Sequence, residues 1–281
     1  MTETVISVRG LHKSYRGQPA VDGVDLTVER GEVFALLGPN GAGKSTTVEI
    51  LEGYRDRDAG EVSVLGVDPR RADRSWRNRI GLVLQEANDF GELTVREVVG
   101  HFTRFYADPL DPAEAIALTG LTEKAGARTK TLSGGQRRRL DVALGIAGRP
   151  ELLFLDEPTT GFDPQARRDF WQLISDLAAG GTTIVLTTHY LDEAEALADR
   201  VAVLVRGRIA DVATPAALGG RDTSAAVVSW TGPGGRESLR TATPSAAVAE
   251  LAARFGGEVP DLTVSRPTLE DVYLGMIGAA A

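Results

Sequence analysis

Short apolar runs rich in Val, Ile and Leu recur along the chain and alternate with stretches of helical periodicity. Several runs lack polar–apolar alternation, which is typical of strands buried on both faces of a sheet. This order predicts a layered α/β domain. The predicted strands are Val33–Leu37, Val62–Leu65, Ile80–Leu84, Leu152–Leu155, Thr183–Leu186 and Val201–Val205. The predicted helices are Lys44–Leu51, Thr94–Tyr106, Gly135–Ala147, Pro164–Ala178 and Leu191–Ala198.

One long segment departs from this alternation. From about Gln85 to Ser133 the chain carries little strand pattern. Thr94 is followed three residues later by Glu97 and then by an apolar pattern, which has the form of a capping box that opens a helix. We therefore predict a mostly helical insertion that covers about residues 86–150.

The composition changes near residue 215, where Pro215 and two glycines precede a Gly/Pro cluster at 232–235. Beyond this point Ala225–Trp230 and Leu262–Val264 resemble strands, and Ser245–Phe255 resembles a helix. The sequence thus predicts one domain over residues 1–215 and a small α+β appendage over residues 216–281.

Charge and composition exclude several classes of function. The net charge of −8 argues against nucleic acid as the main partner, since phosphate backbones favour basic surfaces. The chain has no cysteine, which excludes disulfides and thiolate metal sites. No apolar run of 18 residues occurs, so we expect neither a signal peptide nor a membrane span. Arginines crowd residues 70–79 and 137–139, which we interpret as solvated helix faces or ion pairs.

The most specific chemical pattern lies between the first predicted strand and the first predicted helix. It fits the spacing G-x-x-x-x-G-K-[ST], in which glycines let backbone N–H groups surround an anion and the helix N-terminus adds positive charge. We expect Lys44 to reach the β- and γ-phosphates of a nucleotide and Ser45 to bind Mg²⁺. The predicted nucleotide-binding residues here are Gly38, Pro39, Asn40, Gly41, Ala42, Gly43, Lys44, Ser45 and Thr46.

A pair of carboxylates follows the predicted strand Leu152–Leu155. The carboxyl ends of buried strands are where open α/β sheets bind ligands. We expect Asp156 to hold Mg²⁺ through the water of the ion, and Glu157, turned away from Asp156 by strand alternation, to polarise the attacking water. A strand that merely ends at polar residues is the alternative, and the phosphate-binding pattern makes it the weaker one.

A third pattern, Leu132-Ser133-Gly134-Gly135-Gln136, precedes a predicted helix. Taken alone it indicates a helix capped by Ser133. In this order, however, the three patterns resemble the ATPase subunit of an ABC transporter over about residues 4–215. The resemblance implies an α/β P-loop NTPase fold with a helical insertion, an N-terminal antiparallel β region and, here, a small C-terminal α+β appendage.

The resemblance also implies how the third pattern works. In this family it closes on the γ-phosphate of ATP held by a second subunit, so Ser133, Gly134, Gly135 and Gln136 are expected to serve a partner's ATP. The working form is then a homodimer that sandwiches ATP and Mg²⁺.

Four further positions resemble family residues. Tyr15 corresponds to the aromatic residue that stacks on adenine, and Gln85 to the glutamine that touches Mg²⁺ or its water and senses the membrane subunit. His189 corresponds to the histidine that hydrogen-bonds the γ-phosphate, and Asp163 to the aspartate that communicates across the dimer. Ordinary packing or local solvation is the alternative for Tyr15, Gln85 and His189. The family commonly has a smaller apolar residue than Phe162, which leaves packing there open.

The last segment, residues 265–274, is similar to the closing element of drug- and polymer-export ATPases within the ABC group. We expect Thr268 to cap a helix there. Its shared face would dock the tail, with a dimer-stabilising or regulatory role as the alternative. That face comprises Leu269, Val272, Tyr273 and Met276.

The resemblance implies an ATP-driven motor of an exporter, located at the cytoplasmic face of a membrane and coupled to separate transmembrane permease subunits. The first alternative is a soluble ABC-type ATPase in translation or chromosome maintenance. Such relatives usually carry two cassettes or a long coiled coil, and neither pattern occurs in this sequence. The second is a non-catalytic nucleotide-binding regulator, disfavoured by the presence of Gln85, Glu157 and His189.

Overall fold

The computed structural model of the chain describes residues 3–84 and 90–279. Contacts between residues divide the chain into two compact units, one up to Val212 and one from Ala213 onward. Two sheets lie in the first unit and one in the second. Across the described ranges, no helix combines the length and the apolar character needed to cross a bilayer.

Strands and helices are numbered in chain order. The strands are β1 (Thr4–Tyr15), β2 (Gln18–Glu29), β3 (Val33–Leu37), β4 (Ala59–Val64), β5 (Ile80–Val83), β6 (Leu152–Asp156), β7 (Thr183–Thr188), β8 (Arg200–Val205), β9 (Arg208–Ala213), β10 (Ala226–Gly232), β11 (Gly235–Thr241) and β12 (Thr263–Ser265). The helices are α1 (Lys44–Leu51), α2 (Arg74–Arg77), α3 (Val95–Thr103), α4 (Pro112–Leu118), α5 (Gly134–Ile146), α6 (Pro164–Ala179), α7 (Leu191–Leu197), α8 (Pro244–Phe255) and α9 (Leu269–Ala279).

The larger sheet of the first unit has the strand order β5-β6-β7-β3-β8-β9. Strand β3 pairs in parallel with β7 and β8, and β6 pairs in parallel with β5 and β7. Every residue of β3 and β7 is buried, which explains why their sequences lack alternation. Because these strands are parallel, the segments that follow β3, β6 and β7 meet at one edge of the sheet.

The second sheet has the order β2-β1-β4 and is antiparallel. It shares a hydrophobic core with the parallel sheet, in which Phe34, Trp76 and Phe154 are almost fully buried. The sequence analysis did not predict β1 and β2 as separate strands, because neither has an uninterrupted apolar run. Their buried residues are interspersed with exposed ones, and their pairing contains bulges. The antiparallel N-terminal region itself is confirmed.

Several predicted bounds were wrong by a few residues. The helix predicted from Thr94 begins one residue later, because Thr94 accepts from the backbone N–H of Glu97 and caps the helix from outside. It ends at Thr103 rather than Tyr106. Strand β7 runs on to Thr188, since its threonines are buried like its aliphatic residues. Leu84 lies outside β5, which ends at Val83.

The second unit is built on a sheet of order β11-β10-β12, with α8 packed against β10. Its core contains Val228, Trp230 and Leu251. Helix α9 begins after Thr268, whose hydroxyl accepts from the backbone N–H of Asp271 at 3.1 Å. The backbone N–H and hydroxyl of Thr268 in turn donate to the carboxylate of Asp271, at 2.8 and 2.7 Å. The predicted cap is therefore confirmed.

Only half of the predicted docking face of α9 is fully buried. Leu269 and Tyr273 are buried, whereas Val272 and Met276 are half-buried. Strand β11 escaped sequence analysis because none of its side chains is buried, so it carries no apolar run.

Candidate nucleotide-binding site

The loop between β3 and α1 has a backbone that only glycine accommodates at several positions. A Cβ atom at Gly38 would lie 2.4 Å from the carbonyl oxygen of Leu204, and one at Gly43 would lie 2.2 Å from that of Ala20. Gly41 and Gly43 have φ values of +79° and +103°. Helix α1 begins directly after Gly43 without a capping side chain, which leaves its N-terminal N–H groups suited to an anion.

Lys44 is the first residue of α1, and its side chain reaches back to the start of this loop and is only 4% exposed. Its Nζ atom donates to the carbonyl oxygens of Gly38 at 2.8 Å and Pro39 at 3.3 Å. Nζ also lies 3.4 Å from the Oε1 atom of Glu157. A buried ammonium held mainly by neutral carbonyls strongly favours an additional anion, as a nucleotide phosphate would provide.

Asp156 is the last residue of β6 and faces the loop. The hydroxyl of Ser45 lies 3.5 Å from its Oδ1 atom. A hydroxyl and a carboxylate are the oxygen donors that fit Mg²⁺, which is usually bound by one or two carboxylates together with phosphates and waters. Within the described residues, no group of three or more His, Asp or Glu side chains could hold a metal ion.

Glu157 leaves the strand with a φ of +42°, in the left-handed region that is rare for residues other than glycine. The prediction that strand alternation directs this side chain was therefore wrong, because the strand ends at Asp156 and the turn sets the direction. The Oε1 atom of Glu157 lies between the Nζ atom of Lys44 and the Nδ1 atom of His189, which is 3.3 Å away. The carboxylate thus lies beside the cavity where phosphates would bind.

Thr187 fixes both carboxylate residues, although the sequence did not single it out. Its hydroxyl donates to the Oδ1 atom of Asp156 and accepts from the backbone N–H of Glu157 at 3.0 Å. Thr187 is fully buried in β7, where it pairs with Asp156 across the sheet. Its only sequence signal is a position two residues before His189.

His189 follows β7 and is partly exposed. Its ring packs against that of Tyr190, with 4.1 Å between centroids. Although Nδ1 lies within 3.3 Å of Glu157, it is buried and makes no hydrogen bond with good geometry to any described residue. The imidazole is therefore placed at the carboxylate but retains hydrogen-bonding capacity.

A cavity of about 440 Å³ is lined by Lys44, Ser45 and Glu157 and reaches Tyr15. The ring of Tyr15 is 38% exposed and has Lys13 Nζ at 5.7 Å and Arg55 Cζ at 5.2 Å from its centroid. A partly exposed ring at the rim of the cavity fits the predicted contact with adenine, which stays a prediction. The cavity is lined by Tyr15, Ala20, Asn40, Gly41, Gly43, Lys44, Ser45, Thr46 and Glu157.

The segment 133–136 lies at the start of α5 and is not among the residues that line this cavity. Ser133 accepts from the backbone N–H of Gln136, and the Gln136 side chain accepts from the backbone N–H of Ser133 at 3.1 Å. This is a complete capping box, so the cap is confirmed. Ser133 and Gly134 are exposed, which leaves this helix start accessible to another molecule.

Three remaining positions differ in what the structure shows of them. Asp163 caps α6 by accepting from the backbone N–H groups of Gln165 and Ala166, both at 2.9 Å. Phe162 packs edge-on against the buried ring of Phe170, so the larger residue is accommodated by an aromatic contact. Gln85 lies outside the described residues.

The arginine clusters follow the prediction only in part. Arg79 pairs with Glu151 at 2.5 Å and Arg70 with Asp56 at 3.3 Å, as expected of ion pairs. Arg138, in contrast, is buried, and the carboxylate that it pairs with among the described residues, that of Asp141, lies 3.8 Å away. Arg138 is 7% exposed and donates to main-chain carbonyl oxygens, because it lies on the inward face of α5.

Comparisons with known proteins agree with this geometry. The family model described as ABC transporter matches residues 21–160. A daunorubicin resistance ATP-binding protein of Streptomyces coeruleorubidus is 45% identical over 74% of this chain and 68% of its own length. Nod factor export ATP-binding protein I of Rhizobium sp. (strain N33) is 37% identical over 99% of this chain and 98% of its own length.

A solved structure gives the same fold. It is a dimeric ATP-binding cassette in a post-hydrolysis state, bound to ADP and Pi, with 25% identity and a TM-score of 0.66 over 74% of this chain and 98% of that one. The fold, the phosphate-binding loop and the sequence relatives agree, and the chain belongs to the ABC transporter family as one of its ATP-binding ATPase subunits.

Proposed function

We propose that this chain is the ATP-hydrolysing motor of an exporter whose membrane path is formed by separate transmembrane permease subunits. The observation that carries the proposal is the cavity that brings Lys44, Ser45 and Glu157 together, while the exposed segment at Ser133 lies outside it. Relatives named for Nod factor export and daunorubicin resistance support export over the alternatives in translation or chromosome maintenance.

Within one chain, the phosphates of ATP would lie in the loop 38–46, with Lys44 neutralising the β- and γ-phosphates. Ser45, Asp156 and Gln85 would hold Mg²⁺, which when bound offsets charge on the transferred phosphoryl group. Tyr15 would stack on the adenine ring.

Hydrolysis is an in-line displacement of ADP by water. The water oxygen bonds to the γ-phosphorus as the bond from that phosphorus to the bridging oxygen breaks, and the water proton passes to the carboxylate of Glu157. His189 would donate a hydrogen bond to the γ-phosphate from a position 3.3 Å from Glu157. The products are ADP and inorganic phosphate.

The accessible start of α5 supports a homodimer in which two copies sandwich two ATP molecules. Ser133, Gly134, Gly135 and Gln136 of one copy would complete the site of the other, and Asp163 would lie near the contact. The dimer would act as a peripheral assembly on the cytoplasmic face of the membrane, where its closure is transmitted to the permease.

The test separates binding from hydrolysis in the purified chain. Lys44→Ala should abolish Mg²⁺-dependent ATP hydrolysis by weakening ATP binding. Glu157→Gln should retain ATP binding but lose at least about a hundredfold in kcat, and should elute as an ATP-dependent dimer in size-exclusion chromatography. Glu123→Gln, which alters an exposed carboxylate, is the matched control.

Unchanged turnover in Lys44→Ala would contradict the assignment of the loop. A Glu157→Gln variant that binds ATP but stays monomeric at saturating nucleotide would contradict the sandwich.

A further inference from the structure

Arg138 joins helix α5 to the ends of two strands. The guanidinium donates from Nε to the carbonyl oxygen of Pro158 at 3.1 Å and from Nη2 to that of Asp156 at 2.8 Å. Its Nη1 atom donates to the carbonyl oxygen of Leu84, directly after β5. Among the residues that the structure describes, its ion-pair partner is Asp141 on the same helix, whose carboxylate lies 3.8 Å away. The cation is thus held mainly by backbone dipoles outside its own helix.

The hydrogen bonds from Arg138 to Asp156 and Pro158 constrain the backbone of Glu157, which lies between them. Asp156 and Pro158 flank Glu157, whose own N–H is held by Thr187. A non-glycine residue with a φ of +42° persists only where its surroundings over-determine the backbone. Arg138 and Thr187 together supply that constraint, because they bind the main chain before, at and after Glu157.

Arg138 also connects the Glu157 turn to the start of its own helix, α5. Ser133 caps this helix, and Arg138 lies five residues later, about 7.5 Å along the helix axis. A guanidinium is planar and keeps its charge, so a shift of α5 would break several hydrogen bonds of a buried cation at once. The helix start and the turn that carries Glu157 therefore move together.

We propose that Arg138 is a positioning residue that couples the segment 133–136 to Glu157, so that docking a second copy's ATP on Ser133 aligns the carboxylate in the first copy's own site. This inference rests on the proposed function, because it needs the dimer and the hydrolytic role of Glu157. It adds a connection, within each chain, between the segment 133–136 that would contact the partner's ATP and the Glu157 that would act on the chain's own ATP.

The test compares Arg138→Gln with Arg139→Gln in the full-length chain. Arg139 lies on the same helix but donates to the carbonyl oxygen of Thr119, away from the strand ends. Arg138→Gln should lower kcat about tenfold or more, while the KM for ATP changes less than about threefold. In the Glu157→Gln background, Arg138→Gln should still form the ATP-dependent dimer. Arg139→Gln should keep the wild-type kcat.

If Arg138→Gln does not fold, the test uses Arg138→Lys instead. A lysine keeps the positive charge but cannot reach all three carbonyl oxygens that Arg138 contacts. Arg138→Lys should unfold at a temperature close to that of the wild type and still lose at least about threefold in kcat. Wild-type kcat in a folded Arg138 variant would overturn the proposal, and so would parallel loss of kcat, ATP affinity and dimer. A wild-type chain that neither hydrolyses ATP nor dimerises as Glu157→Gln would instead overturn the proposed function.

Discussion

Thr187 uses both sides of one hydroxyl group. It donates to Asp156 and accepts from the N–H of Glu157, so the two carboxylate residues share a single anchor on the neighbouring strand. Because the hydroxyl is buried, removing it would take the hydrogen bond from the N–H of Glu157 and leave the Oδ1 atom of Asp156 with only the longer contact to Ser45. At the scale of single residues, the geometry of the site therefore depends on an uncharged side chain that does not itself line the cavity.

We expect Thr187→Val to lower the free energy of unfolding by about 1–3 kcal/mol, because Val has the same shape but cannot hydrogen-bond. It should also lower kcat roughly tenfold to a hundredfold, since Asp156 and Glu157 lose their common anchor. Chemical denaturation and steady-state ATPase assays measure the two effects.

Thr183→Val is the matched control. Its hydroxyl, at the opposite end of β7, accepts from the N–H of Gly31 at 2.9 Å. The control should lose similar stability but keep its kcat, and equal kcat values in the two variants would contradict the role of Thr187.

At the scale of elements, two helices begin with the same device. Helix α3 is capped by Thr94 and Glu97, and α5 by Ser133 and Gln136. Each box satisfies backbone N–H groups that the first helical turn leaves unpaired. The two boxes should therefore contribute similarly to stability and differ only in function.

Ser133→Ala and Thr94→Ala should each lower the free energy of unfolding by about 1 kcal/mol. Only Ser133→Ala should also weaken ATP-dependent dimerisation, because only Ser133 is proposed to contact a partner's nucleotide. Denaturation and sizing of both variants in the Glu157→Gln background measure this. Equal dimerisation of the two would show that Ser133 acts as a cap alone.

The sequence predicted the elements whose signals are local. The strand, glycine loop and helix around Lys44 follow from adjacent residues, and so do the caps at Thr94 and Thr268. The left-handed turn at Glu157 could not be predicted, because tertiary hydrogen bonds from distant residues impose it. The burial of Arg138 was missed for the same reason, since an arginine in a helical pattern normally faces water.

At the scale of the whole molecule, the first unit buries acidic groups as well as apolar ones. Glu52 directly follows α1 as its C-cap and is 9% exposed. Burial raises the pKa of Glu52 to about 7, with smaller contributions from the carboxylates of Asp156 and Glu49. Burial likewise raises the pKa of Asp141 to about 6. Ionising these groups opposes folding, so the stability of the whole chain depends on pH.

The folded chain holds the proton of Glu52 more tightly than the unfolded chain does. The stabilisation that comes from protonated Glu52 is therefore greatest below the ordinary pKa of 4.5 and is lost as the pH rises through about 7. We expect Glu52→Gln to be more stable than the wild type at pH 8, by on the order of 3 kcal/mol, and nearly equal at pH 4.

Denaturant unfolding across this range, without Mg²⁺ or nucleotide, measures the difference, with Glu123→Gln as the exposed control. If the difference in free energy of unfolding between Glu52→Gln and the wild type does not change with pH, the raised pKa of Glu52 is contradicted.

The strand order of the parallel sheet has a consequence for how the protein is made. Strand β3 carries the phosphate loop, but its neighbours β7 and β8 come from residues beyond 182. At about 5–20 residues per second, the ribosome needs on the order of ten seconds to synthesise the segment between them. Until then the five apolar residues of β3 have no sheet to enter. Until β7 and β8 have been synthesised, the nascent chain thus carries an apolar strand whose backbone lacks its sheet partners, a state that favours aggregation.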